Sequence, residues 1–161
     1  MKKVTNNGFE YFFDETDLGL VNLMRAKRGF IEKSGATYIR GYVLVGSEKK
    51  YLTLHRLLMV GLKHGGIVDH INRNGLDNRR SNLRMCSAGG NAMNRKKSEK
   101  QRDISKYKGV TFHNGQWRSR ITAQGKCWFL GYFREERDAA IAYNEAAPRL
   151  HGEFASLNNI K

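Results

Sequence analysis

The chain has 161 residues, with 29 Lys plus Arg against 15 Asp plus Glu and a formal charge of +14. That imbalance is more than an enzyme of neutral substrates requires, and it points to a polyanionic partner. Cys86 and Cys127 show no paired Cys or Cys/His spacing, which argues against zinc and against a disulfide scaffold.

The opening MKKVTNNGFEYFFDE lacks the apolar core of a signal peptide, and no later run approaches membrane-spanning length. The expected setting is the cytoplasm, a reducing compartment, with no membrane partner. Residues 1–60 alternate short apolar and aromatic runs with Gly-containing breaks: FEYFF, LGLVNLM, GFIEK, ATYIRGYVLVG and YLTLHRLLM. Tyr38, Arg40 and Tyr42 alternate with Ile39, Gly41 and Val43, a period of two that predicts strands. LHRLLMVGL predicts a short helix. The expectation for this part is a small antiparallel sheet backing the segment that follows, and His64, in KHGG, reads as loop.

That segment, residues 68–94, reads VDHINRNGLDNRRSNLRMCSAGGNAMN. An imidazole has its pKa near neutrality, so His70 can take a proton from water. Asp69, its strand neighbour, points the other way, where its carboxylate can ligate a hard cation such as Mg2+. Asn91 can add a neutral carbonyl ligand, and Asn82 can hydrogen-bond to backbone near His70 and fix the ring. Arg56, Arg79, Arg80 and Arg84 are candidates to hold phosphates. The positive excess is +3 over residues 1–50, +7 over 51–104 and +4 over 105–161, so it peaks at this stretch. The same residues also suit two tight turns in a loop. His55, inside an apolar run, reads as a packed, hydrogen-bonded histidine rather than a ligand.

LHRLLM, VDHINRNGLDNRRSNLR and GNAMNRKK together resemble the HNH endonuclease family, in its phage and intron-encoded homing branch. The resemblance implies a hairpin and helix around one divalent metal, Mg2+ or else Mn2+. It implies Asp69 and Asn91 as metal ligands, His70 as general base and Asn82 as the asparagine that orients it. The third position, often His in that family, is Asn91 here.

Residues 95–105 are crowded with charge and read as a basic linker, so the expected division is 1–94, 95–105 and 106–161. KYKGVTFHNGQWRSRITAQGKCWFLGYF then gives three strand-like runs separated by HNG and AQG, the turns of a meander. REERDAAIAYNEAAPRLHG predicts an amphipathic helix with acidic residues in its first turn. Its alanines, Ala139, Ala140, Ala142, Ala146 and Ala147, are small enough for close packing on a sheet, and Pro148 is expected to kink or end it.

YKGV, QWRSRI, WFLGYF, AAIAYNEAA and HGEFASLN together are similar to an AP2-type DNA-binding domain. That resemblance implies a three-stranded sheet packed on one helix and laid in the major groove of duplex DNA. The DNA face it implies comprises Lys108, Thr111 and His113 on the first strand, Arg118, Arg120 and Thr122 on the second, and Cys127 and Phe129 on the third. Alternation places Trp117, Ser119 and Ile121 on the opposite, packed face.

The resulting expectation is an α+β chain: a small N-terminal antiparallel sheet, a ββα-metal motif, a charged linker, then a three-stranded sheet on one helix. Its expected activity is metal-dependent DNA endonuclease, phage- or mobile-element-encoded, a monomer or weak dimer that nicks or cuts duplex DNA. Two alternatives stay open at this point: a non-catalytic DNA-binding regulator that retains the nuclease fold, and an RNA-binding protein.

Overall fold

The computed structural model describes residues 1–32, 34–61, 66–95, 97 and 105–160, in two compact units, Met1–Ser87 and Ala88–Lys161. The architecture is mixed α+β, built from small antiparallel sheets.

In the first unit β1 (Lys2–Val4) pairs with β2 (Glu10–Phe12), and helix α1 (Leu18–Leu23) follows. The LGLVNLM run is helical although it lies among strand-like segments. Leu18, Val21 and Met24 recur every third residue, so one helical face can be buried, and Val21 and Met24 are 0% and 1% exposed. Strands β3 (Arg25–Ile31), β4 (Thr37–Val45) and β5 (Glu48–Thr53) form an antiparallel meander. β4 keeps the expected alternation, with Ile39, Gly41 and Val43 buried and Tyr38, Arg40 and Tyr42 on the other face. LHRLLM forms α2 (Leu54–Val60), which buries Leu54, Leu57 and Leu58 in one core with Tyr11, Phe13, Ile39 and Val43.

β6 (Ile67–His70) and β7 (Leu83–Cys86) form the last hairpin, and the loop between them is anchored to the N-terminal segment. The Phe12 N–H donates to the Leu76 carbonyl and the Asn78 N–H to the Phe12 carbonyl, both at 2.8 Å. Two residues on, the Arg80 backbone N–H donates to Asp14 Oδ2 at 2.7 Å. The Arg80 guanidinium binds both oxygens of the buried Asp17 at 2.7–3.0 Å. The N-terminal region therefore does back the hairpin, through backbone pairing and one partly buried ion pair.

The second unit begins with α3 (Ala88–Asn94) and continues through β8 (Val110–His113), β9 (Gln116–Ala123) and β10 (Lys126–Phe133), with β9 central. The two hairpin turns each take a pair of left-handed residues, Asn114 and Gly115 (φ 48° and 77°) and Gln124 and Gly125 (φ 52° and 75°). Two-residue turns of that hand match the twist of the strands they join. Helix α4 (Glu136–His151) lies on the sheet through buried Ala139, Ala140, Ala146 and Ala147, with Ala142 half-buried. Pro148 does not end it: the helix runs three residues further and stops at Gly152, whose φ is 54°. Lys108 lies before β8 rather than on it; its ammonium donates to the carbonyls of Met93 and Arg95. Of the expected linker, only Arg95, Lys97 and Ser105 are among the described residues, and His64 lies outside them.

Asn158 closes this unit with four hydrogen bonds. Its side chain exchanges two with the Lys108 backbone (2.7 and 3.1 Å), and its backbone exchanges two with the Asn144 side chain (2.7 and 2.9 Å). Asn158→Ala removes the two side-chain bonds and should cost about 1–2 kcal/mol. Both tryptophans, Trp117 and Trp128, lie in this unit. Urea unfolding followed by their fluorescence checks it; an unchanged midpoint would contradict the assignment.

Candidate active site and nucleic-acid face

Asp69 and His70 end β6, opposite Arg84 and Leu83 of β7. Both are enclosed, at 8% and 4% exposure. Arg84 lies directly across from Asp69, and its Nε and a terminal nitrogen donate to Asp69 Oδ2 at 3.1 and 2.8 Å. Arg84 is thus held beside the carboxylate, its side chain only 10% exposed. The other arginines differ in setting. Arg79 binds Asp77 through two bonds of 2.7 Å, Arg80 binds Asp17, and Arg56 is half-buried on α2.

The His70 ring is held on three sides. Its Nε2 is 3.4 Å from Asn78 Oδ1, and Asn78 is fully buried. An amide oxygen only accepts, so Nε2 carries the proton and the ring lone pair sits on Nδ1. His55 meets the ring edge-on at 4.8 Å between centroids, and Tyr38 lies at 5.7 Å. Asn78 has no distinguishing mark in the sequence, where it is one of several asparagines between two turns.

Asn82 works on the backbone of the same loop. Its Oδ1 accepts from the Asn72 N–H at 2.9 Å, its Nδ2 donates to the Asp77 carbonyl at 2.7 Å, and its own carbonyl accepts from the Ile71 N–H at 2.8 Å. Asn72 Nδ2 adds a bond to Asp77 Oδ2 at 3.0 Å. The loop also presses against β4: a Cβ on Gly75 would lie 2.2 Å from the Thr37 carbonyl oxygen, so no larger residue fits. Asp69, His70 and Asn82 are therefore gathered in the first unit, whereas Asn91 lies half-buried on α3 in the second.

Burial pushes the His70 imidazole below its usual range, against the Asn78 hydrogen bond and the Asp69 and Asp77 carboxylates, which pull it up. His55 is pushed down to about 3, first by burial and then by His70 and Arg56. Its Nε2 is 3.1 Å from Thr53 Oγ1, and its Nδ1 is buried with no hydrogen-bond partner among the described residues. His55 is thus a packed histidine, and it also shapes the wall of the His70 site.

No group of three or more His, Cys, Asp or Glu side chains able to hold an ion occurs among the described residues. A carboxylate such as that of Asp69 is an oxygen donor of the kind a hard cation takes while it keeps most of its waters.

In the second unit the strand register sorts the side chains of the sheet. Thr111 pairs with Arg118, His113 with Gln116, Thr122 with Cys127 and Arg120 with Phe129, all on the face away from α4. Ser119 and Ile121, on the other face, are buried. A bulge between Phe129 and Gly131 shifts the alternation by one and brings Tyr132 to the outer face opposite Arg118. There it stacks on His113 at 6.5 Å and meets Phe129 at 5.1 Å. Strict alternation in the sequence misses Tyr132 because the bulge is invisible to it.

With this geometry in view, comparison with known proteins separates the two parts of the chain. Residues 55–93 match the HNH endonuclease family. The matched span starts at His55, takes in Asp69, His70 and Asn82, and ends past Asn91. An uncharacterized HNH endonuclease of Acanthamoeba polyphaga mimivirus is 30% identical over 114 residues, 68% of this chain and 58% of that protein. The C-terminal region is similar to AP2-like ethylene-responsive transcription factors of Arabidopsis thaliana. One is 39% identical over 71 residues, 42% of this chain and 21% of its own length, and an ethylene-responsive transcription factor of the same plant is 37% identical over 71 residues, 16% of its length. The chain thus spans little more than half of the viral relative and about a fifth or less of these plant proteins. No helix among the described residues is long and apolar enough to cross a membrane.

The two histidines set a pH dependence. Both are held neutral when folded, with pKa values below the unfolded value near 6.5, so the unfolded chain binds more protons below that pH. Stability of the first unit is full above about pH 6.5 and falls as pH drops toward 3, by up to about tenfold in the folding constant per pH unit per histidine. Hydrogen exchange of α2 and β6 peptides, corrected for intrinsic rates, should show this loss from pH 7 to 4. His55→Gln should flatten it, and an unchanged slope in that variant would contradict the burial argument.

Proposed function

We propose that the chain is a metal-dependent DNA endonuclease that hydrolyses one phosphodiester at the Asp69-His70 site and is targeted by its C-terminal sheet. The observation that carries this reading is the enclosed His70, kept neutral and tied through Nε2–H to Asn78, beside a carboxylate. A neutral imidazole keeps one ring lone pair and can accept a proton at the pH of a cell.

His70 Nδ1 takes a proton from a water whose oxygen attacks phosphorus. The bond from phosphorus to the 3′ oxygen breaks, leaving a 5′ phosphate and a 3′ hydroxyl, the latter reprotonated from solvent. Asn78 keeps the ring oriented and stabilises the imidazolium that forms, because its amide oxygen still accepts from Nε2–H. Asp69 would be the first unit's ligand for a divalent ion, Mg2+ or Mn2+; Asn91, which the HNH resemblance implies as a second ligand, belongs to the other unit. When bound, that ion supplies charge stabilisation at phosphorus and at the leaving oxygen. Arg84 shares the Asp69 carboxylate and restrains it in the meantime.

Arg118, Arg120, Thr111, His113, Thr122 and Phe129 form the face that meets duplex DNA. One site per chain makes a nick the product of a monomer. A second DNA contact on the same chain raises the local concentration of substrate at a site that has few base contacts of its own. A regulator that only binds DNA would share the sheet and the charge. It has no use for a buried base beside a carboxylate.

Supercoiled plasmid with Mg2+ should convert to open circle, and a chelator should stop it. His70→Ala should lower the rate roughly 100- to 10,000-fold. Asn78→Ala should lower it roughly 10- to 100-fold without weakening plasmid binding. Tight binding without conversion in either metal would favour the regulator. Arg118→Ala and Arg120→Ala, measured by salt titration of duplex affinity, should each reduce the slope of log K against log salt by about 0.9 if the residue holds one phosphate.

A further inference from the structure

The first unit carries a second basic, aromatic face that the nuclease site does not use. Strand register defines it on the side of β3-β4-β5 opposite the buried Ile39 and Val43. Arg25, Tyr42 and Tyr51 form one cross-strand row, Arg28, Arg40 and Thr53 the next, and Phe30 and Tyr38 a third. Leu44 and Lys49 close the other end. These rows contain four cations and no carboxylate, and Phe30 and Tyr51 are 44% and 63% exposed. The cations are threaded between rings: Arg40 lies 5.7 Å from the centre of Phe30, Lys49 lies 5.1 Å from Tyr42, and Tyr42 and Tyr51 meet at 5.6 Å.

A cleft of about 440 Å³ opens along this face between Phe30, Glu32, Tyr38, Arg40, Tyr51 and Arg56. Tyr38 joins the face to the active site, since its ring lies 5.3 Å from His55 and 5.7 Å from His70. A chain laid across these rows is led toward the general base.

Exposed rings among cations that outnumber the cleft's one carboxylate, Glu32, suit an occupant that offers flat apolar surfaces and negative charge at short intervals. Duplex DNA offers the charge but keeps its base faces stacked inside. An unpaired strand offers both. We propose that the outer face of β3-β4-β5 binds single-stranded DNA, with Phe30 and Tyr51 stacking on bases and Arg28 and Arg40 holding phosphates. The choice of DNA rests on the endonuclease reading above. In that setting the face holds the strand segment that is unpaired beside the scissile phosphate.

The test is fluorescence anisotropy of the full chain with a labelled 15-mer, in chelator so that no cleavage intervenes. The same sequence is presented as single-stranded DNA, as duplex and as single-stranded RNA. Both rings are exposed, so the double variant Phe30→Ala with Tyr51→Ala should fold, which circular dichroism checks. Its single-strand affinity should fall at least tenfold while duplex affinity stays within threefold. Arg28→Ala with Arg40→Ala should lower single-strand affinity and its salt slope by about 1.4. Equal loss on both DNA forms would overturn the proposal in favour of a duplex contact, and no loss on either would make the face merely solvated. A wild-type preference for RNA above tenfold would overturn the choice of DNA. Plasmid nicking is scored separately: selective loss of single-strand binding in a protein that never nicks supports the face and removes the nuclease reading.

Discussion

The contact between His70 Nε2–H and Asn78 Oδ1 is the interaction on which the site depends. It fixes which ring nitrogen is basic, and it works only because Asn78 is itself immobile. Asn78 is fully buried, its backbone N–H is spent on Phe12 of β2, and its loop is threaded by the side chains of Asn72, Asn82 and Asp77. The N-terminal strands and the Asp17–Arg80 pair therefore bear on His70 at one remove, by holding the loop that holds the imidazole. Long-range anchoring of this kind is what lets a short hairpin keep a buried polar cluster ordered, because most of the polar groups withdrawn from water, though not His55 Nδ1, find a partner.

Much of this fold was legible in the sequence. Period-two alternation located β4 and the three C-terminal strands, turn chemistry located both hairpins, and the alanine spacing located α4. Each of these signals is local. What escaped was non-local or depended on a local irregularity. LGLVNLM is too short to declare its period except through the core it faces, and the bulge after Phe129 moves Tyr132 across the sheet. Pro148, expected to kink or end α4, is accommodated in its last turn.

The site divides along the same line. Asp69 and His70 stand out as a polar, ionisable pair in an apolar approach. Asn78 does not stand out, because an asparagine in a turn-rich loop has ordinary reasons to be there, and only the fold shows its amide aimed at the ring. Arg79, Arg80 and Arg84 all read as phosphate ligands by charge, yet each is engaged by an aspartate that lies two, 63 or 15 residues away. Composition can show that arginines are abundant. It cannot show which of them the protein has already assigned to its own carboxylates.

The central claim is that His70 is a neutral imidazole with its proton on Nε2 and its lone pair on Nδ1. The most direct measurement is the 15N spectrum of the His70 ring at pH 7 in ring-labelled protein, assigned by comparison with His70→Gln. The account predicts a protonated-type Nε2 shift with an unprotonated Nδ1, and loss of this fixed pattern in Asn78→Ala. A ring protonated on Nδ1, or an imidazolium at that pH, would contradict it.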